Sequence, residues 1–254
     1  MRIYGIIGWP LGHSFSKPYF EGKFARLGLD DRRYYNLPIE NIAELSEILA
    51  EYPELAGFNV TIPYKKDIIG RLDEISPEAA EIGAVNCVKI ENEKLKGYNT
   101  DAYGFRAGLE KLIAAERPAA LVLGTGGASA AVCYVLSQLG VKFLNVSRTK
   151  KLNNLTYGEL TPAVMESHPL IVNTTPLGTW PDTEEKPDIP YDSIGPEHFL
   201  YDLVYNPPVT AFLAEGVKRG AKTLNGETML HAQAERSWEI WEFKNLGIER
   251  GIHF

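Results

Sequence analysis

The stretch Val122–Ser129 reads VLGTGGAS, and it decides the fold of the second half of the chain. The apolar run Ala119–Leu123 predicts a strand before the glycines, and the small residues of Ala128–Leu139 predict a helix after them. A strand, a glycine-rich turn and a helix in this order are the context of the dinucleotide-binding fingerprint. The residues that we expect to hold a nucleotide are Gly124, Thr125, Gly126, Gly127 and Ala128.

Each glycine of this turn has a separate expected role. Gly124 would permit the tight turn, and Gly126 would let the backbone approach a pyrophosphate. The following helix would then present free N–H groups and the positive end of its dipole. Ser129 stands where the third glycine of the fingerprint is usual, so the turn is a variant. An ordinary glycine-rich loop is the alternative interpretation.

The next strand indicates which nucleotide would bind. An NAD site usually places an acidic residue about 20 positions after the glycines, on the ribose hydroxyls. Here the strand ends in Ser147, Arg148 and Thr149, followed by Lys150 and Lys151, with no acid. Arg148 can stack on adenine and pair with a 2′-phosphate, while the two hydroxyls add donors. The sequence therefore favours NADP over NAD, with a solvated loop as the alternative.

The composition excludes several classes of function. The chain has 254 residues, 44% hydrophobic and 23% charged, with a net charge of -7. That charge argues against a nucleic acid or an anionic membrane as partner. No apolar run approaches the roughly 20 residues of a membrane span, and no signal peptide is apparent, so we expect a cytoplasmic protein. Cys87 and Cys133 are predicted to be buried thiols, and no metal-ligand spacing is present.

Strands and helices are predicted to alternate along the whole chain, which indicates α/β architecture with parallel sheets. The expected strands are Arg2–Gly8, Arg33–Asn36, Gly57–Thr61, Ala119–Leu123, Lys142–Val146, Leu170–Asn173 and Leu200–Val204, with a hairpin of Ala84–Ile90 and Lys94–Tyr98. The expected helices are Pro18–Leu27, Ile39–Tyr52, Lys65–Ile75, Ala128–Leu139, Pro208–Arg219 and Thr228–Lys244. By composition, Ile113–Pro118 is the best candidate for a domain boundary.

Pairs of polar residues precede the glycine-rich turn. Ser14 and Ser16 are two apart in a loop, so both hydroxyls would face one side of an extended chain. Asn59 and Thr61 share one face of a strand end in the same way. These pairs predict a site for a small molecule that carries hydroxyl groups, although each pair alone is more typical of an ordinary turn.

Taken together, the motifs resemble those of the shikimate dehydrogenase family, in the same order and along nearly the whole chain. They are HSFSKP (13–18), NVTIPYK (59–65), GAVNCV (83–88), GYNTD (97–101), VLGTGGAS (122–129), VSRT (146–149), NTTPLGT (173–179), YDLVYNPPVT (201–210) and NGETMLHAQA (225–234).

The resemblance implies NADP-dependent reduction of 3-dehydroshikimate to shikimate, in the biosynthesis of chorismate and aromatic amino acids. It implies two α/β domains with a cleft between them: a substrate domain over residues 1–101, with 228–254 packing back onto it, and a Rossmann-like NADP domain over 102–227. The catalytic pair would be Lys65 and Asp101. Ser14, Ser16 and Tyr205 would hold the substrate carboxylate.

Further positions follow from the same resemblance. The ring hydroxyls of the substrate would be surrounded by Asn59, Thr61, Asn86, Asp101 and Gln233. The nicotinamide would be lined by Leu203, Gly226 and Met229. A small-molecule substrate is the only partner implied, with monomer and homodimer both left open.

Some positions depart from the family pattern. Cys87 stands where threonine is more usual, and Ser147 replaces a common asparagine. A basic residue expected at Leu152 is absent, for which Lys150 or Lys151 could compensate. We interpret His231 as a packing residue.

Oxidation of a secondary alcohol requires removal of a hydride and a proton. The cofactor takes the hydride, so a side chain must handle the proton. Lys65 is the best candidate for that acid/base role, with Asp101 orienting the hydroxyl. An ordinary surface ion pair between the two is the alternative.

Other functions remain open at this point. A quinate/shikimate dehydrogenase with broader cofactor use is the nearest one. A non-catalytic NADP-binding sensor on the same scaffold is a different class, although the presence of both Lys65 and Asp101 argues for catalysis.

Overall fold

The computed structural model describes residues 1–11 and 15–243. It divides into two compact units. Unit 1 combines Met1–Thr100 with the segment that starts at Ala234, and unit 2 is Asp101–Gln233. Ser14 and the end of the last predicted helix, at Lys244, lie outside the described residues.

Unit 1 is built on a mixed sheet. Its strands are β1 (Arg2–Gly8), β2 (Arg32–Pro38), β3 (Leu55–Val60), β4 (Glu74–Ile75), β5 (Cys87–Glu91) and β6 (Lys94–Tyr98). Its first helices are α1 (Ser16–Leu27), α2 (Leu45–Glu51) and α3 (Pro77–Ile82), with 3-10 turns at Ile42–Glu44 and Asp67–Arg71. The strand order is β2-β1-β3-β5-β6-β4, and β1 pairs in parallel with both β2 and β3.

Unit 2 is built on a fully parallel sheet. Its strands are β7 (Ala120–Leu123), β8 (Phe143–Ser147), β9 (Asn154–Thr156), β10 (Leu170–Asn173), β11 (Phe199–Asp202) and β12 (Lys222–Leu224). Its helices are α4 (Asp101–Ile113), α5 (Gly127–Gln138), α6 (Pro162–Ser167) and α7 (Ala211–Lys218), with 3-10 turns at Tyr157–Glu159 and Tyr191–Ser193. A final helix, α8 (Glu227–Glu242), begins in unit 2 and ends in unit 1.

The strand order of unit 2 is β12-β11-β10-β7-β8-β9. The chain starts in the middle at β7, moves outward to β8 and β9, and then returns to β10 on the other side of β7. Such a reversal is the topological switch point, where ligands of open α/β sheets bind beyond the carboxyl ends of the strands. The four residues of β7 are fully buried, which explains the uninterrupted apolar sequence there.

The part of α8 that belongs to unit 1 completes an aromatic core. Trp241 stacks on Tyr4, with ring centroids 4.9 Å apart, and its indole N–H donates to the Val88 carbonyl at 2.9 Å. Gly57 makes this approach possible, because a Cβ there would lie 2.4 Å from the Trp241 ring. Glu242 adds ion pairs to Arg2 and Arg32, with N–O distances of 3.0 and 3.2 Å.

Several expectations from the sequence were wrong. The expectation of parallel sheets fails in unit 1, where β5 runs antiparallel to β3, while the antiparallel pairing of β5 with β6 is the predicted hairpin. The helix predicted over Lys65–Ile75 is a 3-10 turn followed by β4. The boundary candidate Ile113–Pro118 lies inside unit 2. Cys133 is only half-buried, whereas Cys87 is buried as expected.

Gly57→Ala tests the contact between β3 and Trp241. The added methyl group would collide with the indole and with the Val88 carbonyl, 2.8 Å away, so we expect a loss of about 1–3 kcal/mol in the free energy of unfolding. Urea unfolding followed by circular dichroism measures it. The matched control is Gly22→Ala in α1, where the nearest atom to the new Cβ is 3.6 Å away. That control should be neutral or stabilising by up to about 1 kcal/mol, and equal losses in both variants would contradict the packing argument.

Candidate functional site

A network of buried side chains surrounds the end of β3 in unit 1. Asn59 is 6% exposed. Its Oδ1 accepts from the Tyr34 hydroxyl at 2.9 Å, and its Nδ2 donates to the Asn86 carbonyl at 3.2 Å and to Ser237 Oγ at 2.9 Å. Both amide hydrogens of Asn59 are therefore used inside the protein. Only the second lone pair of Oδ1 is left for another donor.

Asn86 extends the network to Thr100 in the GYNTD motif. Its Oδ1 accepts from the Thr100 backbone N–H at 2.6 Å, and its Nδ2 donates to Thr100 Oγ1 at 3.0 Å. Thr100 Oγ1 also lies 3.2 Å from Ser237 Oγ. Asn59 and Asn86, which the sequence analysis paired with substrate hydroxyls, are thus joined through Ser237 and Thr100.

The other end of the network reaches the start of α1. Ser16 is buried and its hydroxyl is hydrogen-bonded to that of Tyr34. Burial raises the pKa of Tyr34 well above its usual value. Tyr34 and Ser237 were not predicted from the sequence, because one looks like an ordinary strand residue and the other like an ordinary helix residue. A usable signal was the four-residue spacing of Gln233 and Ser237, which places both on one face of a helix.

Thr61 and Lys65 lie on the loop that follows β3. The Thr61 N–H donates to the Ile7 carbonyl at 2.9 Å, and a Cβ at Gly8 would lie 2.4 Å from the Thr61 methyl group. The Lys65 carbonyl accepts from the Val85 N–H at 2.7 Å, so the backbone at this lysine is held. The Lys65 side chain is half-buried.

In unit 2, Asp101 is the first residue of α4 and is 5% exposed. An acidic side chain in the first turn interacts favourably with the helix dipole. One turn later, a Cβ at Gly104 would lie 2.5 Å from the Met229 carbonyl and 3.1 Å from Gln233 Cβ. Gly104 therefore lets α4 and the first half of α8 touch, and this places Met229 and Gln233 against the part of α4 that begins with Asp101.

The glycine-rich turn has the geometry expected of a phosphate site. Gly124 has a φ of 113°, which favours glycine, and a Cβ there would lie 2.6 Å from Thr174 Oγ1. Gly126 precedes α5 without any side-chain cap, and no atom lies within 4 Å of the position of a Cβ. The first N–H groups of α5, at Gly127 and Ala128, have no acceptor within the helix. The turn fits a pyrophosphate.

Ser129, which stands where the third glycine of the fingerprint is usual, stabilises this turn. Its side chain is buried and its hydroxyl donates to the Gly124 carbonyl at 2.9 Å. This hydrogen bond stabilises the turn, and the position of a Cβ at Gly126 remains open.

Asn154 holds the segment at the end of β8 that contains Ser147, Arg148 and Thr149. Asn154 Nδ2 donates to Ser147 Oγ at 2.6 Å and to the Thr149 carbonyl at 3.1 Å. The Ser147 hydroxyl itself donates to the Thr149 carbonyl at 2.6 Å, so its proton is already used. Arg148 and Thr149 are exposed. Of the three, these two remain available to an adenosine 2′-phosphate as donors.

The residues expected at the nicotinamide meet after β11. A Cβ at Gly226 would lie 2.1 Å from the Leu203 carbonyl oxygen, and the Gly226 N–H donates to the Val204 carbonyl at 3.0 Å. Met229 follows within the first turn of α8 and is buried. Tyr205 is exposed at 36%. Glycine at position 226 is required for this contact.

A buried carboxylate organises the same segment and was missed from the sequence. Asp202 accepts from Asn173 Nδ2 at 2.9 Å, from the Val204 N–H at 3.0 Å and from Thr210 Oγ1 at 2.5 Å. Burial raises its pKa to about 6, although these donors act in the opposite direction. The signal was an acidic residue inside the apolar run that ends in LYDLV. Asp202 holds the ends of β10 and β11 together.

One remaining expectation concerns His231 on α8. The packing role assigned to His231 was wrong: its side chain is 48% exposed and lies 4.0 Å from Glu227. Among residues 1–11 and 15–243, no group of histidine, cysteine and acidic side chains is arranged to hold a metal. Within the same described part, no helix is long and apolar enough to cross a membrane.

Comparison with known proteins shows to which family the chain is related. Residues 6–88 match the family model described as the shikimate dehydrogenase substrate binding domain. The chain is 39% identical to the shikimate dehydrogenase (NADP(+)) of Methanococcus maripaludis, over 94% of this chain and 91% of that protein.

Solved structures of shikimate dehydrogenases have folds similar to that of this chain. Shikimate dehydrogenase from Aquifex aeolicus has a TM-score of 0.85 at 36% identity, covering 95% of this chain and 92% of its own. Shikimate 5-dehydrogenase from Thermus thermophilus, solved in complex with NADP(H) and shikimate, has a TM-score of 0.85 at 31% identity, covering 95% and 94%. With such relatives matching almost its whole length, this chain belongs to the shikimate dehydrogenase family.

Proposed function

We propose that this chain is an NADP-dependent shikimate dehydrogenase that reversibly reduces 3-dehydroshikimate to shikimate for aromatic biosynthesis. The observation that carries the proposal is the match to curated shikimate dehydrogenases along 94% of the chain, with Lys65 and Asp101 both present. The proposal assigns NADP to residues of unit 2. We further propose that the enzyme is cytoplasmic and either a monomer or a homodimer. Its free thiols, Cys87 and Cys133, suit a reducing compartment.

Unit 2 offers a consistent set of residues for NADP. The uncapped N-terminus of α5 and the open face of Gly126 suit the pyrophosphate. Arg148 and Thr149 suit the 2′-phosphate, because no acid between Ser147 and Asn153 would repel it. Leu203, Gly226 and Met229 are assigned to the nicotinamide.

The substrate contacts are assigned as follows. The carboxylate of shikimate is bound by the hydroxyls of Ser14, Ser16 and Tyr205. Its ring hydroxyls are bound by Asn59, Thr61, Lys65, Asn86, Asp101 and Gln233. The buried network supports this assignment for Asn59, because its remaining acceptor lone pair suits a substrate hydroxyl.

In the reduction, NADPH held by the residues of unit 2 would supply a hydride for the carbonyl carbon of the substrate. The oxygen then needs a proton, and Lys65 donates it as an ammonium group. Asp101 accepts a hydrogen bond from the hydroxyl that forms and keeps it oriented. In the oxidation, Lys65 takes the proton back in its neutral form.

The proposal is tested by absorbance at the reduced-nicotinamide band. Shikimate and quinate are each offered with NADP and with NAD. We expect rapid turnover with shikimate and NADP only. Turnover with quinate or NAD would indicate the broader quinate/shikimate dehydrogenases. Binding of NADP without turnover of either substrate would contradict an enzyme and favour a sensor.

Lys65→Ala should reduce kcat about 100-fold or more, because it removes the proton donor. The KM for shikimate should change far less. Steady-state kinetics measure both, with Lys66→Ala as the matched control, since Lys66 is the exposed neighbour. A similar loss in kcat and in affinity, or a similar loss in the control, would rule out the acid/base role.

Asp101→Asn should also slow turnover strongly, because the amide cannot accept hydrogen bonds through both of its terminal atoms. The dissociation constant of NADP, measured by protein fluorescence, should stay within about twofold, a change of roughly 0.4 kcal/mol. Asp67→Asn, at an exposed position, serves as the control. Full activity of Asp101→Asn would show that the carboxylate is dispensable.

A further inference from the structure

The basic segment after β8 contains a lysine that is already engaged. Lys150 Nζ lies 2.7 Å from Glu159 Oε1 and 2.9 Å from Oε2, so the ammonium group is bound by both carboxylate oxygens. Lys150 is one of the residues that could replace the basic side chain missing at Leu152. Its charge is directed to an acid of this chain.

Glu159 is held firmly in that position. Its Oε2 accepts from the Thr156 N–H at 2.7 Å and from Thr156 Oγ1 at 2.9 Å, which forms the capping box of the 3-10 turn Tyr157–Glu159. The hydrogen bonds from Lys150 and Thr156 lower the pKa of Glu159 to about 2. The carboxylate is therefore charged at every pH at which the enzyme would be assayed.

This fixed negative charge lies beside the expected 2′-phosphate position. β9 pairs with β8 so that Thr156 is opposite Ser147. Arg148 follows Ser147 directly in the chain and Tyr157 follows Thr156, so Arg148 is next to this turn across the β8–β9 pair. Arg148 and Lys150 thus both lie close to the turn that carries Glu159.

We propose that Glu159 is a specificity-determining residue that weakens the preference for NADP by withholding Lys150 from the 2′-phosphate. The proposal rests on the NADP function given above. A phosphate must compete for the ammonium with a carboxylate that cannot follow it, because Thr156 holds the carboxylate. The two anions also repel each other. Discrimination between NADP and NAD consequently depends on Arg148, because Lys150 stays bound to Glu159.

The central variant is Glu159→Gln. Glutamine retains the capping box, which accepts either residue at this position, so the turn is preserved. It removes the charge that binds Lys150. We expect the dissociation constant of NADP to fall about threefold or more, on the scale of an exposed ion pair, while that of NAD stays unchanged. Calorimetry with NADP, NAD, 2′,5′-ADP and 5′-AMP measures the effect.

Two further variants separate this explanation from a structural one. Lys150→Ala alone should change NADP affinity by less than about twofold, a change of roughly 0.4 kcal/mol. In the double variant Glu159→Gln/Lys150→Ala, the gain should be largely lost. Glu116→Gln is the control for net charge, because Glu116 pairs with exposed Lys222 at 3.6 Å in the same unit. It should alter the affinity of neither cofactor.

The outcomes are distinct. If Glu159→Gln leaves NADP affinity unchanged or weakens it while Arg148→Ala still weakens it, the role of Glu159 is overturned and the proposed function stands. If Lys150→Ala costs as much NADP affinity as Arg148→Ala, Lys150 is not withheld and the inference is overturned. If the unaltered protein binds NADP no better than NAD and Arg148→Ala has no effect, both the inference and the NADP assignment fail.

Discussion

The hydrogen bonds between Asn86 and Thr100 are the constraint on which the rest of unit 1 depends. They connect the residue before β5 to Thr100, the last residue of the N-terminal segment of unit 1, and through Ser237 they reach α8. A buried amide or hydroxyl left without a partner costs about 1–3 kcal/mol, so each member holds its neighbours in place. Rigidity of this kind suits a site that must present polar atoms to a small polar molecule.

In unit 2, the buried carboxylate of Asp202 joins several segments in a similar way. The donors that face Asp202 come from β10, from the segment after β11 and from the start of α7. Thr210 also caps α7 by accepting from the Leu213 N–H, so its hydroxyl proton is directed to Asp202. A carboxylate with donors on both oxygens has no acceptor for an acid proton. The geometry therefore favours the charged form, in opposition to burial, which raises the pKa.

Much of the fold was predictable where local patterns decide the structure. The strand β10 and the glycine turn follow directly from apolar runs bounded by turn residues, and the hairpin of β5 and β6 follows from alternation. Prediction failed where distant contacts decide. The segment after Lys65 has helical spacing, yet Gly70 weakens a helix there and Ile75 pairs with Gly97 of β6. Residues such as Tyr34 carry no local mark of the network they join, because their partners lie far along the chain.

The division of α8 between the units has a consequence for synthesis of the protein. Unit 2 is one continuous stretch, whereas the core of unit 1 needs Trp238 and Trp241, which are translated after all of unit 2. At about 5–20 residues per second, roughly 7 to 28 seconds separate Thr100 from those tryptophans on the ribosome. During that interval the aromatic surface formed by Tyr4, Phe20 and Phe24 lacks its cover. The aromatic core of unit 1 can therefore be completed only after all of unit 2 has been translated.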